Sequence, residues 1–332
     1  MFQTKVTEML GIKYPIVGGT MMWITTPEFV ATVSNAGGLG VLASAIYQNR
    51  EEFADAIDHV NDLTDKPFAV NINLFPMMRP IDNNDYVDVL IEKGVKIVET
   101  SGHSAPDDLC VRFKEAGITW IHKCVGVRYA LKVQNMGADI VTVVGYENGG
   151  ATGKLDIGTL VIVPRVVESV KVPVIGGGGV TDGRAFLAVL ALGAQGVIMG
   201  TRLLATKEAP IHENLKQALA QADELDTMLI MRSIGATHRV WANTAAKECA
   251  ELEAGNAELS EILKLVAGEK SKAMYKHGTL DTGIISCGQG VGIIHDIPTV
   301  KDLFNSIISQ AANIAKGLAK ESADPKIKGL KK

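Results

Sequence analysis

The chain has 332 residues, enough for one large domain or a domain with an insertion; 47% are hydrophobic and only 5% aromatic. The formal net charge of −4 provides no basic field, so we expect no nucleic-acid partner. The four cysteines are scattered without a CxxC pair, the N-terminal segment lacks a signal-peptide core, and no uncharged apolar run is long enough to span a membrane. We therefore predict a cytoplasmic protein with no metal site and no membrane association.

Residues 1 to about 205 alternate strand and helix eight times. The candidate strands are short and apolar on both faces, which is typical of buried parallel strands. They are Pro15–Gly18, Gly40–Ala43, Phe68–Ile72, Val95–Glu99, Thr119–Lys123, Ile140–Val144, Val172–Ile175 and Gly196–Met199. Eight such repeats predict an α/β fold, a closed (β/α)8 TIM barrel. The alternative is an open doubly wound sheet, but that fold would carry an early GxGxxG, and none follows the first strand.

After residue 205 the pattern changes. Residues 206–282 are predicted to be helical without strands, around a mixed segment at 228–240, and we interpret them as a helical cap, or substrate domain, inserted after the eighth strand. The predicted cap helices are Glu213–Asp223, Ala245–Glu253, Ser260–Val266 and Ser271–Lys276. Residues 1–205 and 283–332 form the barrel, to whose wall a last helix, Val300–Leu318, returns.

Two glycine-rich turns follow the seventh and eighth predicted strands. The first is Val172-Pro-Val-Ile-Gly-Gly-Gly-Gly-Val-Thr-Asp-Gly183, which opens directly into a helical pattern, and the second is Gly196-Val-Ile-Met-Gly-Thr-Arg202. Consecutive glycines let backbone N–H groups approach an anion, and a following helix points its positive end at the same place. Barrels frequently hold a phosphate in these two loops. The turns therefore predict a site for a phosphorylated cofactor or substrate, with a simple tight turn as the alternative.

Several motifs together resemble nitronate monooxygenases, formerly called 2-nitropropane dioxygenases. They are Pro15–Met22, Ala36–Gly40, Val70–Asn73, Val172–Gly183 and Met199–Arg202, and Pro210–His212, Met231–Ser233 and Ser286–Gly290 extend the likeness over nearly the whole chain. The resemblance implies a barrel with a helical lid that binds FMN through its single phosphate. The same family contains NAD(P)H:quinone reductases, flavin-dependent enoyl thioester reductases and enzymes of steroid-ring catabolism.

The resemblance also implies a set of flavin contacts. The main chain at Met21 would approach the central ring, Asn73 would meet its pyrimidine edge, and Lys123 would place a cation there that stabilises the reduced cofactor. A strand-end cap and a solvated lysine are the alternatives for Asn73 and Lys123. Further contacts would come from Gly149 and Gly150 beside the cofactor, and from Gly177, Gly178, Gly179, Gly200 and Thr201 at the phosphate.

One position departs from the family pattern. In the loop after the sixth strand, relatives carry a catalytic histidine where this chain has Ala151, which can neither accept nor donate a proton. We hypothesise that His103, in the loop after the fourth strand, supplies the missing imidazole; an exposed loop histidine is the alternative, and Glu147 and Tyr146 are other candidates. The expected substrate pocket comprises Met22, Tyr146, Ala151, His238, Ser286 and Cys287, with the cysteine lining the pocket and not acting as a nucleophile.

Three functions remain open for a small-molecule substrate. In the favoured one, NADH or NADPH reduces FMN, which then reduces a quinone or a conjugated carbonyl such as an enoyl thioester. In the second, an alkyl nitronate reduces FMN and oxygen reoxidises it. In the third, the barrel binds a phosphorylated ligand without redox chemistry. The sequence makes no prediction of oligomeric state.

Overall fold

The computed structural model describes residues 2–74, 82–102 and 105–322, and its main sheet has eight parallel strands. The strands are β1 (Ile16–Gly18), β2 (Gly40–Ala43), β3 (Phe68–Asn73), β4 (Ile97–Ser101), β5 (Thr119–Cys124), β6 (Ile140–Val144), β8 (Val174–Gly177) and β9 (Gly196–Met199). They pair in the order β1-β9-β8-β6-β5-β4-β3-β2, and a parallel bridge between Val17 and Leu39 joins the two ends. The predicted TIM barrel is confirmed.

Helices surround the barrel. A short helix, α1 (Lys5–Leu10), precedes the first strand. The helices after the strands are α2 (Pro27–Asn35), α3 (Arg50–Leu63), α4 (Asn83–Glu92), α5 (Leu109–Glu115), α6 (Val127–Asn135), α7 (Thr159–Ser169), α8 (Gly183–Ala191) and α9 (Thr201–Leu204). The last helix, α14 (Val300–Ser322), packs against α8 and α2, so the chain returns to the barrel wall as expected.

The strand residues alternate between two apolar layers. Ile121 and Ile140 point into the barrel, where Val6 and Leu10 of α1 close its amino-terminal end. Trp120 packs on the other side, between the sheet and the helices. This alternation decides which side chains at the carboxyl ends of the strands can reach the barrel mouth, the opening that those strand ends surround.

The expectation of a purely helical cap is wrong. Residues 206–282 do contain α10 (Glu213–Gln221), α11 (Thr244–Ala254), α12 (Leu259–Leu265) and α13 (Gly268–His277), but also two strands, β10 (Thr227–Ile230) and β11 (His238–Trp241). These pair antiparallel, and β11 pairs in turn with β7 (Gly150–Ala151) from the loop after β6. This three-stranded arrangement, called the small sheet below, anchors the cap to the barrel. Among the described helices, none has the length and apolar character needed to cross a membrane.

Candidate active site at the barrel mouth

A buried polar network lies inside the barrel just below its mouth. Glu99 of β4 is only 2% exposed, and its Oε2 accepts hydrogen bonds from Thr20 Oγ1 at 2.7 Å and Asn71 Nδ2 at 2.9 Å. Asn71 Nδ2 also lies 3.1 Å from Ser101 Oγ. Glu99 is absent from the predicted site residues, although a glutamate within an otherwise apolar strand is a signal in itself, because buried carboxylates need partners.

Asn73 and Lys123 lie one layer closer to the mouth. In the register of the sheet, Asn73 is beside Ser101, and Ser101 is beside Lys123. Lys123 points into the barrel because it lies two residues after the inward-facing Ile121, on the same face of β5, and it is half-buried. The predicted pair of an amide and a cation is therefore present at the carboxyl ends of β3 and β5.

His122 points outward, because it is next to the inward-facing Lys123 on β5. Trp120 Nε1 donates a hydrogen bond to Thr100 Oγ1 at 2.7 Å, and this hydroxyl lies 2.7 Å from His122 Nδ1. This contact is a hydrogen bond whose direction follows the tautomer of the imidazole, because the hydroxyl can both donate and accept. Burial lowers the pKa of His122 to about 4, so the ring is neutral and structural.

The turn after β8 leaves backbone donors open. Gly178 and Gly179 have φ values of +103° and +72°, a region that favours glycine. Within the described residues, no hydrogen bond uses the backbone N–H of Gly179 or Gly200. The nearby Thr181 Oγ1 is buried and also lacks a partner there. These groups provide unsatisfied donors at the place where an anion was predicted.

Gly177 and Gly200 are glycines for different reasons. A Cβ on Gly177 would come within 2.4 Å of Ile198 Cγ2, so packing alone requires glycine at this position. A Cβ on Gly200 would meet only Met21 Sδ, at an ordinary 3.8 Å, and its φ of −116° suits any residue. The fold itself therefore does not require glycine at position 200, which is the pattern expected where a ligand approaches the backbone.

The N–H groups at the start of α8 already have hydrogen-bond partners. The side chain of Asp182 caps the helix and accepts hydrogen bonds from the N–H groups of Arg184 and Ala185, at 2.9 and 3.1 Å. The N–H of Gly183 donates to Gln310 Oε1 of α14 at 2.7 Å. Because these groups already satisfy the end of the helix, an anion at the glycine turn is left with the loop N–H groups.

Loops from other parts of the chain complete the mouth. Thr201 Oγ1 accepts a hydrogen bond from the N–H of Gly288 at 2.9 Å, which ties the turn after β9 to the segment that follows the cap. Met22 is 41% exposed and lies near Gly268 of the cap helix α13, since a Cβ on that glycine would be 3.0 Å from Met22 Sδ. The side chains of the predicted site residues Met21 and Met22 therefore lie in different places, that of Met21 near Gly200 and that of Met22 near the cap.

The loop after β6 is held by its own polar residues. The N–H and Oγ1 of Thr159 donate to Glu147 Oε2 at 2.9 and 2.7 Å, so this carboxylate caps α7. The ring of Tyr146 is covered by the Arg239 guanidinium, 4.4 Å from the ring centroid. Glu147 and Tyr146, considered above as substitutes for the missing histidine, therefore have structural partners.

Of the two histidines considered for the pocket, the structure locates one. His103 lies outside the described residues, so its predicted role stays a prediction. His238 is directly opposite Ala151 in the pairing of β11 with β7, and its Nε2 lies 3.3 Å from Ser286 Oγ. This proximity was not foreseen, because it depends on a pairing between segments that are far apart in sequence.

Cys287 does not line the pocket, which corrects the prediction. Its side chain is fully buried in the main apolar cluster and exposes no surface at the barrel mouth. Burial, with a smaller contribution from Asp226, raises the pKa of the thiol to about 12. Cys287 therefore stays protonated, in agreement with the expectation that it is not a nucleophile.

The comparison with known protein families identifies the chain's family. The nitronate monooxygenase model matches residues 3–310. The chain belongs to the nitronate monooxygenase family. It is 33% identical to (3aS,4S,5R,7aS)-5-hydroxy-7a-methyl-1-oxo-octahydro-1H-indene-4-carboxyl-CoA dehydrogenase of Rhodococcus jostii, over 93% of this chain and 96% of that protein. It is also 33% identical to a probable nitronate monooxygenase of Staphylococcus saprophyticus, over 68% of this chain and 75% of that protein.

Solved structures agree with this family assignment. FabK from Thermotoga maritima has a TM-score of 0.89 and 33% identity, covering 96% of this chain and 99% of that one. Nitroalkane oxidase from Streptomyces ansochromogenes has a TM-score of 0.79 at 24% identity, covering 94% and 99%, and shows the likeness in fold. The nitronate monooxygenase family and FabK are flavin enzymes, and this member is accordingly a flavin-dependent oxidoreductase.

Proposed function

We propose that the protein is an FMN-dependent reductase that oxidises NADH or NADPH and reduces a double bond conjugated to a carbonyl, as in an enoyl thioester, or a quinone. The barrel of residues 1–205 and 283–332 would bind FMN, and residues 206–282 would bind the substrate. Bound FMN would supply the chemistry of accepting a hydride from one substrate and delivering it to the other.

The open donors at the glycine turns fit an FMN phosphate. The N–H groups of Gly179 and Gly200 and the hydroxyl of Thr181 lack partners within the described residues, and a phosphate oxygen accepts hydrogen bonds from such groups. The space above Gly200 that a Cβ would occupy fits the close approach of a ligand. Thr201 accepts from Gly288, which leaves its own hydroxyl proton available to donate.

The polar residues of β3, β4 and β5 fit the ring of a flavin. Lys123 would hold positive charge beside the polar edge of the ring, and Asn73 offers an amide there. The buried Glu99 and Asn71, hydrogen-bonded at 2.9 Å, support this layer from below. Met21 would border the ring from β1, and Gly149 and Gly150 from the loop after β6.

Ala151 is the observation that favours a reductase over a nitronate oxidase. Without the family's histidine, the loop offers no side chain to exchange a proton with a nitro compound, a role that contributes about 10²–10⁴ in rate where it operates. Two relatives at 33% identity that cover the chain almost completely point the same way: one is named as the dehydrogenase of a CoA thioester, and FabK is an enoyl reductase. These names support an acyl thioester as the substrate class.

Oxidation of alkyl nitronates by oxygen is the second candidate. The Staphylococcus relatives, named as probable nitronate monooxygenases, favour it. A barrel that binds a phosphorylated ligand without redox chemistry is the third. A yellow protein that releases FMN on heating would exclude this third possibility.

A panel of turnover assays tests the proposal. The purified protein is incubated with NADH or NADPH and either crotonyl-CoA or menadione, and separately with propyl nitronate and oxygen without a nicotinamide. The proposal predicts nicotinamide oxidation that depends on crotonyl-CoA or menadione. Oxygen consumption with propyl nitronate, in the absence of nicotinamide oxidation, would instead establish the second candidate.

A further inference from the structure

The loop after β6 has no polar side chain at positions 149–151. Alanine has no polar side-chain atom, and Gly149 and Gly150 have no side chain. Of the polar residues before them, Glu147 caps α7, and Asn148 Nδ2 donates to the carbonyl oxygens of Gly149 and Ala151, at 2.6 and 3.3 Å. A group that contacts the substrate at this place must therefore come from another element.

The β11 strand brings an imidazole to this place. Residues directly opposite each other on antiparallel strands project from the same face, with Cβ atoms about 4.5–5.5 Å apart, and His238 is opposite Ala151. The ring leans over the neighbouring glycine, because a Cβ on Gly150 would be 3.7 Å from His238 Nε2. An imidazole is thus present beside position 151, although it belongs to the cap.

One contact and one nearby charge act on this imidazole. Ser286 Oγ lies 3.3 Å from Nε2, and a Cβ on Gly150 would be 3.6 Å from the same hydroxyl. The positive charge that acts on the ring is that of Lys123, from β5. Burial, and to a lesser extent this charge, lower the pKa of His238 to about 4. The ring is therefore neutral near pH 7, with one nitrogen as a donor and the other as an acceptor.

The next residue on β11, Arg239, has a structural role. Arg239 alternates to the other face of β11, where its Nε donates to the carbonyl oxygen of Tyr146 at 3.0 Å and its Nη1 donates to Thr227 Oγ1 at 3.0 Å. Arg239 thereby fastens the small sheet to the loop after β6. This fixes the distance between β11 and β7, and with it the position of His238 over the glycines.

We infer that His238 donates a hydrogen bond to the carbonyl oxygen of the substrate, in place of a side chain at position 151, and that Ser286 orients its ring. This inference rests on the proposed function. In the net reaction NAD(P)H loses a hydride and becomes NAD(P)+. The carbon β to the thioester carbonyl gains that hydride, the C=C π bond breaks, and the α carbon takes a proton from solvent.

Neutral imidazole suits this role. Negative charge develops on the carbonyl oxygen as the hydride arrives at the β carbon, and a fixed N–H stabilises it without giving up its proton. Another barrel enzyme, triosephosphate isomerase, polarises a carbonyl with a neutral histidine in this way, which is a known example of the principle. A group that only oriented the substrate would affect binding and not the rate of reduction.

The test compares His238→Ala with His277→Ala, a matched control for an exposed histidine at the end of α13 in the same cap. The enzyme is reduced anaerobically with dithionite and mixed with crotonyl-CoA, and the return of flavin absorbance is followed. We expect His238→Ala to slow this step about 10²–10³-fold, the usual loss for one donor to a developing oxyanion, and His277→Ala to leave it unchanged. Adding Ala151→His to His238→Ala should restore part of the rate.

A binding measurement gives a readout independent of turnover. In wild-type protein labelled with ¹⁵N-histidine, the imidazole signal that His238→Ala removes should shift when butyryl-CoA, a saturated thioester, is added. Butyryl-CoA should also bind the oxidised variant about two- to tenfold more weakly, the value of one hydrogen bond.

Each outcome bears on the inference. Wild-type reoxidation rates in His238→Ala, or an imidazole signal that butyryl-CoA does not shift, would show that the residue only packs the cap. A wild-type enzyme that crotonyl-CoA does not reoxidise would also overturn the inference. Because dithionite reduces the flavin in this assay, failure of NAD(P)H to do so would count against the proposed function alone.

Discussion

Replacing Gly200 with alanine should weaken FMN binding without destabilising the apoprotein. The new Cβ would lie 3.8 Å from Met21 Sδ, an ordinary contact, and φ is −116°. The apoprotein should therefore be as stable as wild type, or more stable by about 0.4–1 kcal/mol, since alanine restricts the unfolded chain. In the holoprotein the methyl group would occupy space proposed for the phosphate. Overpacking of this kind costs about 1–3 kcal/mol, which weakens FMN binding about 5- to 150-fold.

Gly177→Ala is the control with the opposite pattern. Its Cβ would be 2.4 Å from Ile198 Cγ2 and 3.1 Å from the carbonyl oxygen of the same residue, so the apoprotein itself should lose about 1–3 kcal/mol. Urea unfolding of the FMN-free proteins measures stability, and the quenching of FMN fluorescence on titration measures affinity. Wild-type FMN affinity in Gly200→Ala would refute the placement of the phosphate at this turn.

Three further predictions concern charge and exposure. Unfolded His122 binds a proton below a pH of about 6.5, whereas in the folded protein the pKa of the ring is about 4, so the free energy of unfolding should fall by about 2 kcal/mol by about pH 5 because of this residue. Urea unfolding at the two pH values should therefore show a smaller loss of stability in His122→Gln than in wild type. Equal losses in the two proteins would contradict the buried Trp120–Thr100–His122 network. Lys123→Met should lower the midpoint potential of the flavin in a dye-linked titration, because a cation beside the reduced ring is lost, and an unchanged potential would place the lysine elsewhere. Cys287, whose pKa is raised to about 12, should react with iodoacetamide only after unfolding, whereas the half-buried Cys110 should react in the native protein; equal native rates would contradict the burial of Cys287.

The barrel strands could be predicted because both of their faces are buried. Ile140–Val144 and Gly196–Met199 have the predicted bounds, since an apolar run that ends at turn residues defines such a strand by itself. The strand β8 begins and ends two residues later than the predicted Val172–Ile175, because the glycine pattern assigns Gly176 and Gly177 to the turn. They belong to β8, where side chains would collide with Val189 and Ile198, so here glycine serves the packing of the sheet.

The small sheet could not be predicted from local pattern. β10 and β11 have four residues each and β7 has two, lengths at which alternation is not distinguishable from a helical segment. The position of His238 depends on pairing with Ala151, a contact between distant parts of the chain. The Asp182 cap, by contrast, had a readable signal, because aspartate directly before a helical pattern is a preferred N-cap residue.

The proposed function requires a reduced nicotinamide to donate electrons to this flavoenzyme, and anaerobic mixing measures that step. NADH and then NADPH are added to the purified protein without oxygen while the visible absorbance of the flavin is followed. We predict rapid bleaching by one or both nicotinamides. A protein that is yellow but is bleached by neither, and is bleached by propyl nitronate, would contradict the proposed function and assign the chain to nitronate oxidation.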